Sequence, residues 1–147
     1  MIGLLQRVSQ ASVAVDGEII AEIGLGLVVL VGVERQDTEA QAQRLLERLL
    51  AYRMFPDDNG RMNLSVEDVG GSVLLVPQFT LAADTGRGNR PGFSRAADPA
   101  RGEELFARLV SLGEEAAVPL VSGRFGATMQ VNLSNEGPVT FWLRVPP

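Results

Sequence analysis

The first third of the chain is dominated by an alternation of apolar and polar side chains that favours β-strands. Residues 2–15 alternate until Asp16-Gly17, a dipeptide typical of a two-residue hairpin turn. Residues 18–23 form the predicted return strand, and residues 25–33 (LGLVVLVGV) are apolar enough to be buried on both faces of a sheet. The pattern therefore predicts a β-meander whose apolar faces must be covered by later elements.

Two amphipathic segments further along the chain predict helices. The first begins at Thr38, whose spacing to Gln41 is that of a capping box. The second begins at Asp98-Pro99, an N-cap followed by proline at the first helical position, and runs to about Glu115. Apolar residues at helical spacing give each helix one face to bury.

Shorter apolar runs predict the remaining strands, at residues 62–65, 72–80, 118–121, 125–133 and 139–145. Asn59-Gly60 favours a second hairpin, and Pro77 places its strand at an edge or bulge because proline has no N–H group to donate. The order of these elements predicts a single α+β domain over residues 1–147, with two main helices packed on mixed β-layers.

The chain contains no histidine, cysteine or lysine, so all 13 of its basic residues are arginine. These absences exclude Ser-His-Asp and Cys-His catalysis, Schiff bases, and metal sites built from histidine or cysteine. Arginine stays protonated near neutral pH and cannot act as a general base. An enzyme of this composition must rely on carboxylates, hydroxyls, amides, backbone groups or its own substrate, and we predict no metal or cofactor.

The net charge of −5 conceals a local reversal of sign. Residues 85–101 carry four arginines against the single acidic residue Asp98, which fits either an anion-binding segment or a flexible surface loop. No apolar run reaches the ~18 residues of a membrane span, and Arg7 interrupts the place where the apolar core of a signal peptide would lie. With no cysteine for disulfides, we expect a cytoplasmic protein that has no membrane partner.

Two short motifs have the character of a site built from backbone. Gly137-Pro138 joins a residue without Cβ to one with fixed φ, which suits a turn between two strands or a rigid wedge that touches a ligand. Gln78-Phe79-Thr80 closes a predicted strand, either as a plain strand end or as a row of N–H donors for an oxyanion. Thr80 carries a nucleophilic hydroxyl, but no side chain in this composition is suited to activate it.

Over essentially its whole length the chain resembles the D-aminoacyl-tRNA deacylase (D-tyrosyl-tRNA deacylase) family. The blocks VPQFTL and NEGPVTF match the two signatures of that family, and their joint occurrence at this separation is specific. LLQRVSQASVAVDGE, MFPDDNGRMN, RGNRPGFSRAADP and SGRFGATMQVNL also match. The resemblance implies a homodimer, with active sites at the subunit interface, that hydrolyses the ester between a D-amino acid and the 3′ end of tRNA. It also implies action on glycyl-tRNA.

The resemblance further implies roles for individual residues. Gly137 and Pro138, joined by a cis bond, would enter the partner subunit's pocket and reject L side chains. Gln78, Phe79 and Thr80 would form the catalytic segment, mainly through backbone, while the 2′-hydroxyl of the terminal adenosine would replace a protein base. Arg7 would hold the Gly-Pro tip. The residues implied to bind the substrate, including the terminal adenosine, are Arg7, Phe93, Ser94, Met129 and Asn135.

Pro77 departs from the family pattern, which usually has serine there. A related animal deacylase carries proline before the glutamine and removes L-alanine from the wrong tRNA. The alternative function is therefore an editing deacylase of relaxed chirality, which removes L-alanine or glycine from mischarged tRNA. A third interpretation, from another class, is a dimeric protein that binds RNA ends without cleaving the ester.

Overall fold

The computed structural model describes residues 1–147. Its strands are β1 Ile2–Val15, β2 Glu18–Ile23, β3 Gly26–Gly32, β4 Phe55–Pro56, β5 Met62–Leu64, β6 Ser72–Pro77, β7 Leu120–Ser122 and β8 Gln130–Arg144. Its helices are α1 Glu39–Ala51, α2 Pro99–Glu114 and a short 3-10 helix, Phe79–Ala82. The predicted α+β class with two main helices is confirmed. No helix is long and apolar enough to cross a membrane.

β1 is the strand on which most of the sheet is assembled. β2 and β3 return along one edge of β1 in a common register, as the pairs Ala11↔Ile23 and Val8↔Gly26 show. β8 pairs with almost the full length of β1 and therefore occupies its other edge. The three strands of the predicted meander thus form one long hairpin. β1 is one arm, and β2 and β3 are two consecutive parts of the other arm.

The sheet continues from β3 through two parallel strands. β6 pairs with β3 and β7 pairs with β6, both in parallel, so the sheet is mixed. Parallel neighbours need long connections, and these contain α1 and α2 respectively. The hairpin predicted at Asn59-Gly60 is confirmed as the small antiparallel sheet of β4 and β5, with Gly60 at φ +76°.

Both helices begin where their capping residues predict. Gln41 Oε1 accepts a hydrogen bond from Thr38 N at 2.7 Å, which closes the capping box of α1. Asp98 Oδ1 accepts one from Arg101 N at 3.0 Å, and Pro99 is the first residue of α2. Each start is thus determined by contacts within one turn of the chain.

Buried side chains cover both faces of β3 and β6. On one face Leu27, Val29 and Leu75 join the apolar stripes of the two helices. On the other face Val28 and Leu74 join residues of β1 and β2. Because both faces are covered, these strands are continuous apolar runs in the sequence.

The observed strand bounds differ most from the prediction at two places, and β7 also begins two residues later than predicted, at Leu120. β6 stops at Pro77 instead of residue 80, because the chain enters the 3-10 helix at Phe79. The N–H of Gln78 donates the last hydrogen bond of the ladder, to Val31 O at 2.7 Å. The strand predicted from residue 125 begins only at Gln130, because the preceding loop turns at Gly126, whose φ is +78°. Glycine adopts this left-handed conformation readily, and a strand cannot continue through it.

A cluster of charged groups fastens β8 to the loop before α1. The Met1 ammonium donates to Asp37 Oδ1 at 2.7 Å and to Val145 O at 2.7 Å. The Glu34 carboxylate accepts from Arg144 Nε at 2.9 Å and Nη2 at 3.1 Å. Glu34 and Asp37 are both buried, so each charge depends on these partners.

The paired state of Glu34 predicts a pH-dependent contribution to stability. Burial raises the pKa of Glu34, but Arg144 and the Met1 ammonium outweigh it and hold the pKa below its usual value. The stabilisation is therefore complete above the unfolded pKa, about 4.3, and is lost as the pH falls through the folded pKa. We expect Glu34→Gln to destabilise the fold by about 2 kcal/mol at pH 7 and to flatten the acid limb of the stability profile.

Urea unfolding at several pH values between about 7 and 3 measures both effects. Glu47→Gln is the matched control, because Glu47 pairs with Arg44 on the exposed face of α1. That substitution should change stability by less than about 1 kcal/mol. An unchanged acid limb in Glu34→Gln would show that the cluster does not contribute in this way.

Candidate active site

A cavity of about 570 Å³ opens beside the carboxyl end of β6. Its walls come from the ends of β3 and β6, the first turns of α2, and the loop between β7 and β8. The lining is mainly apolar and includes the rings of Phe79, Phe106 and Phe125. A cavity of this size and lining suits a small ligand with a planar ring.

Gly102, Phe106 and Phe125 also line the cavity, although no sequence motif predicts them as site residues. The ring of Phe125 lies 6.3 Å from that of Phe106, centroid to centroid. A Cβ at Gly102 of α2 would lie 3.2 Å from Phe125 Cζ, so this glycine makes room for the ring. A glycine inside a helix costs about 1 kcal/mol relative to alanine, and that cost is the signal that would have identified the position.

Asp98 is the one charged residue among those that line the cavity. The sequence predicts Asp98 only as the cap of α2, and its Oδ1 does accept the hydrogen bond from Arg101 N at 3.0 Å. The one carboxylate that lines the cavity therefore accepts a hydrogen bond from the first turn of α2.

Gln78, Phe79 and Thr80 form the segment at the end of β6, and the first two line the cavity. The predicted donor at Gln78 is wrong, because its N–H is bonded to Val31 O at 2.7 Å. Phe79 and Thr80 begin the 3-10 helix, where backbone N–H groups have no acceptor within the helix. Gln78 Nε2 donates to Thr80 Oγ1, so the hydroxyl contacts an amide rather than a base.

The structure brings together some of the residues predicted to bind substrate. Met129 lines the cavity, and its Sδ accepts a hydrogen bond from Arg124 N at 3.4 Å. The ring of Phe93 lies 5.2 Å from that of Phe79, which places it beside the cavity. Ser94 is not among the lining residues.

Residues 135–139 form a bulge in β8. β8 pairs with β1 in the same antiparallel sense on both sides of this segment, through Val8↔Asn135 and Gln6↔Thr140. Between these two pairs β8 advances by five residues while β1 advances by two, so the extra residues of β8 are not paired with β1. The prediction of a turn between two strands is wrong, since a turn would reverse the chain. The wedge remains a prediction.

Two side chains anchor the bulge at its base. Arg7 Nε donates to Glu136 O at 2.9 Å. Asn135 Oδ1 accepts from Val139 N at 2.6 Å, and its Nδ2 donates to Thr140 Oγ1 at 3.0 Å. The side chain of Asn135 therefore engages its own strand.

Gly137 and Pro138 form the exposed tip of the bulge, and the peptide bond between them is cis. Gly137 has φ +141°, a conformation that side-chain-bearing residues rarely adopt. No residue of the bulge lines the cavity of its own chain. The Gly137-Pro138 tip and the segment Gln78-Phe79-Thr80 thus do not line one common cavity within the chain.

Comparisons with known proteins identify the family of the chain. Residues 4–144 match the family model described as D-Tyr-tRNA(Tyr) deacylase. A protein of Alkalilimnicola ehrlichii named D-aminoacyl-tRNA deacylase is 60% identical over 147 residues, which cover 100% of this chain and 98% of that protein. A protein of the same name from Thioalkalivibrio sulfidiphilus is 61% identical, with 100% and 99% covered.

Solved structures share the fold. One described as c-Myc DNA Unwinding Element Binding Protein superposes with a TM-score of 0.94 at 36% identity and covers 100% of both chains. Another, described as a probable eukaryotic D-amino acid tRNA deacylase, has a TM-score of 0.81 at 18% identity and covers 97% of both chains. The second likeness concerns the fold alone.

Proposed function

The chain belongs to the D-Tyr-tRNA(Tyr) deacylase family, and from this premise we propose how it selects and cleaves its substrate. Its activity is that of a D-aminoacyl-tRNA deacylase. The bond cleaved is the ester between the amino acid and the 3′-terminal adenosine, and the products are the free D-amino acid and tRNA. Because this substrate belongs to translation, we place the enzyme in the cytoplasm.

The cavity binds the 3′ end of the aminoacyl-tRNA. Its aromatic lining and its volume of about 570 Å³ suit the terminal adenosine. The ester then lies at the end of β6, where the N–H groups of Phe79 and Thr80 stabilise the charge that develops on the carbonyl oxygen. The chain has no histidine, cysteine or lysine to act as a base. As the resemblance to the family implies, the adjacent 2′-hydroxyl of the substrate assists the attack of water, which agrees with the absence of these side chains.

Rejection of L-amino acids is the task of the Gly137-Pro138 tip. The observation that carries this proposal is the bulge itself, which is exposed, anchored at its base, and absent from the cavity of its own chain. Such a tip reaches a cavity only in a second copy of the chain. There its backbone would occupy the side on which an L side chain projects, while a D side chain points away.

A symmetric dimer lets both tips act in the same way. In a two-fold arrangement each subunit receives the tip of the other, which gives two equivalent sites. β8 pairs with β1 alone and leaves its second edge open, and it exposes 57% of Trp142. An open strand edge with an exposed tryptophan favours self-association.

Rates of hydrolysis of D-tyrosyl-tRNA and L-tyrosyl-tRNA test the function. We expect the D ester to be cleaved at least about a hundredfold faster, because an L side chain costs several kcal/mol in steric overlap. Glycyl-tRNA, which has no side chain to reject, should also be cleaved. If none of these esters is cleaved faster than in buffer, the proposed mechanism fails, and tRNA binding alone would indicate an RNA-end binder.

The same assay distinguishes the editing alternative. Pro77 lines the cavity beside Met129, so a departure from the family pattern lies where the substrate would bind. Comparable rates on L-alanyl-tRNA and D-alanyl-tRNA would favour an editing deacylase of relaxed chirality. A strong preference for the D ester would exclude it.

Replacing Thr80 with alanine should leave measurable activity. The backbone N–H at position 80 is kept, and only the hydroxyl that accepts from Gln78 Nε2 is removed. We expect kcat to fall by no more than about tenfold, as measured by single-turnover hydrolysis of D-tyrosyl-tRNA. Complete loss of turnover, with folding and tRNA binding intact, would identify Thr80 as a nucleophile.

A further inference from the structure

The thirteen arginines of the chain divide into two groups. Seven donate side-chain hydrogen bonds or form ion pairs within the chain: Arg7, Arg44, Arg48, Arg53, Arg101, Arg108 and Arg144. The other six are exposed and have no such partner: Arg35, Arg61, Arg87, Arg90, Arg95 and Arg124. An exposed guanidinium without an internal partner keeps all five of its donors for a ligand.

Five of these six arginines belong to segments that border the cavity. Arg87 and Arg90 lie in the loop between the 3-10 helix and α2. Arg95 lies in the same loop, two residues before the cavity-lining Ala97. Arg35 is joined to this loop, because its N–H donates to Arg95 O at 2.8 Å. Arg124 directly precedes the cavity-lining Phe125.

The loop that carries three of these arginines is tied to the cavity rather than detached from it. Asp84 and Gly92 exchange two backbone hydrogen bonds, at 2.7 and 3.0 Å, and so close the base of the part of the loop that holds Arg87 and Arg90. The ring of Phe93 packs against the cavity-lining ring of Phe79 at 5.2 Å. We call Arg35, Arg87, Arg90, Arg95 and Arg124 the arginine rim.

The rim reverses the sign of the charge that the chain carries elsewhere. The carboxylates on the same segments are Asp84 and Asp98, and each accepts a hydrogen bond from a backbone N–H of its own turn. Glu34, next to Arg35, is balanced by Arg144 and the Met1 ammonium. The rest of the chain contains eight arginines and sixteen acidic residues, of which Glu34 is one. A strong local field of this kind attracts anions to an otherwise acidic protein.

We propose that the arginine rim binds the phosphodiester backbone of the RNA that carries the ester, beyond its terminal nucleotide. This inference rests on the proposed function, since it takes the cavity as the site of the terminal adenosine. Guanidinium groups bind phosphate oxygens in a bidentate manner, and five of them beside one cavity match a strand that leaves it. The rim makes the reaction sensitive to salt, although the cavity itself is mainly apolar.

The test compares D-tyrosyl-tRNA with D-tyrosyl-adenosine, a substrate that has the same ester but no phosphate. The variant replaces Arg87, Arg90 and Arg95 with glutamine, and Arg61→Gln is the control. Arg61 is exposed and unpartnered like the rim arginines, but it lies on the β4–β5 hairpin. The kcat/KM of each protein is measured on both substrates at several salt concentrations.

We expect the ratio of kcat/KM on the tRNA to that on the adenosine ester to fall at least tenfold in the triple variant. The dependence of log kcat/KM on log salt should flatten by about 0.7 for each phosphate that the variant no longer neutralises. Arg61→Gln should keep the native ratio and slope. An unchanged ratio in the triple variant, or an equal decrease on both substrates, would overturn the proposal.

The binding of uncharged tRNA separates this proposal from that of the catalytic function. Failure of the native protein to cleave either ester would contradict the catalytic proposal alone. In that case the affinity for uncharged tRNA still tests whether the arginine rim binds the RNA backbone. If the triple variant kept the native affinity and the native salt dependence, the proposal for the rim would be contradicted.

Discussion

Gly137→Ala is expected to lower kcat/KM on D-tyrosyl-tRNA by about a hundredfold or more while the protein remains folded. The added Cβ would lie 2.7 Å from Val139 Cγ2 and 3.1 Å from Arg7 Nη2. The φ of +141° is also one that alanine adopts only with strain. The tip must therefore move, and the anchor from Arg7 to Glu136 O must move with it.

The effect should appear in catalysis rather than in stability, because the tip is exposed and lies outside the ladder of β8. Gly60→Ala is the control for backbone strain alone. It also has a positive φ, +76°, but a Cβ there meets nothing within 4 Å. Rates on D-tyrosyl-tRNA and glycyl-tRNA, together with circular dichroism, measure the outcome. Native rates in Gly137→Ala would mean that the tip does not act at the site.

Gly26→Ala is expected to have the largest effect on stability of any alanine substitution at a glycine. β3 and β6 approach so closely at this point that a Cβ on Gly26 would lie 1.9 Å from Ser72 O. The obstacle is backbone that cannot rotate away, so the parallel pairing of the two strands must open. We expect the free energy of unfolding to fall by more than about 4 kcal/mol, or the chain to fail to fold.

Gly24→Ala is the matched control, two residues away. A Cβ at this position meets nothing within 4 Å, and the residue is exposed between β2 and β3. Its free energy of unfolding should stay within about 1 kcal/mol of the native value. Urea unfolding of both variants measures the difference. Similar stabilities for the two would show that β3 and β6 are not in such close contact.

The cavity illustrates a limit of prediction from sequence. Three of the residues predicted to bind substrate or catalyse, Phe79, Gln78 and Met129, do line it. The pair Phe106 and Phe125, which also lines it, was missed, because these two rings meet only when the loop after β7 packs on α2. A contact between elements from separate parts of the chain leaves no local pattern that would reveal it.

The bulge illustrates the same limit for the fold. A glycine followed by proline between two apolar runs predicts either a turn between two strands or a rigid wedge. The structure shows instead one strand that stays paired with β1 on both sides of the tip. The partner lies more than 120 residues earlier in the chain, so residues 135–139 alone do not reveal the direction of the strand.

The sequence by itself determined the starts of both helices, the strands buried on both faces, and the absence of histidine, cysteine and lysine. Those properties depend on hydrogen bonds within one turn, on the alternation of side chains, or on composition. Only the tertiary structure decided that Gly137-Pro138 is the tip of a bulge, which walls enclose the cavity, and which arginines have no internal partner. These depend on pairing and packing between segments far apart in the chain, which are set by the fold as a whole rather than by any one stretch of residues.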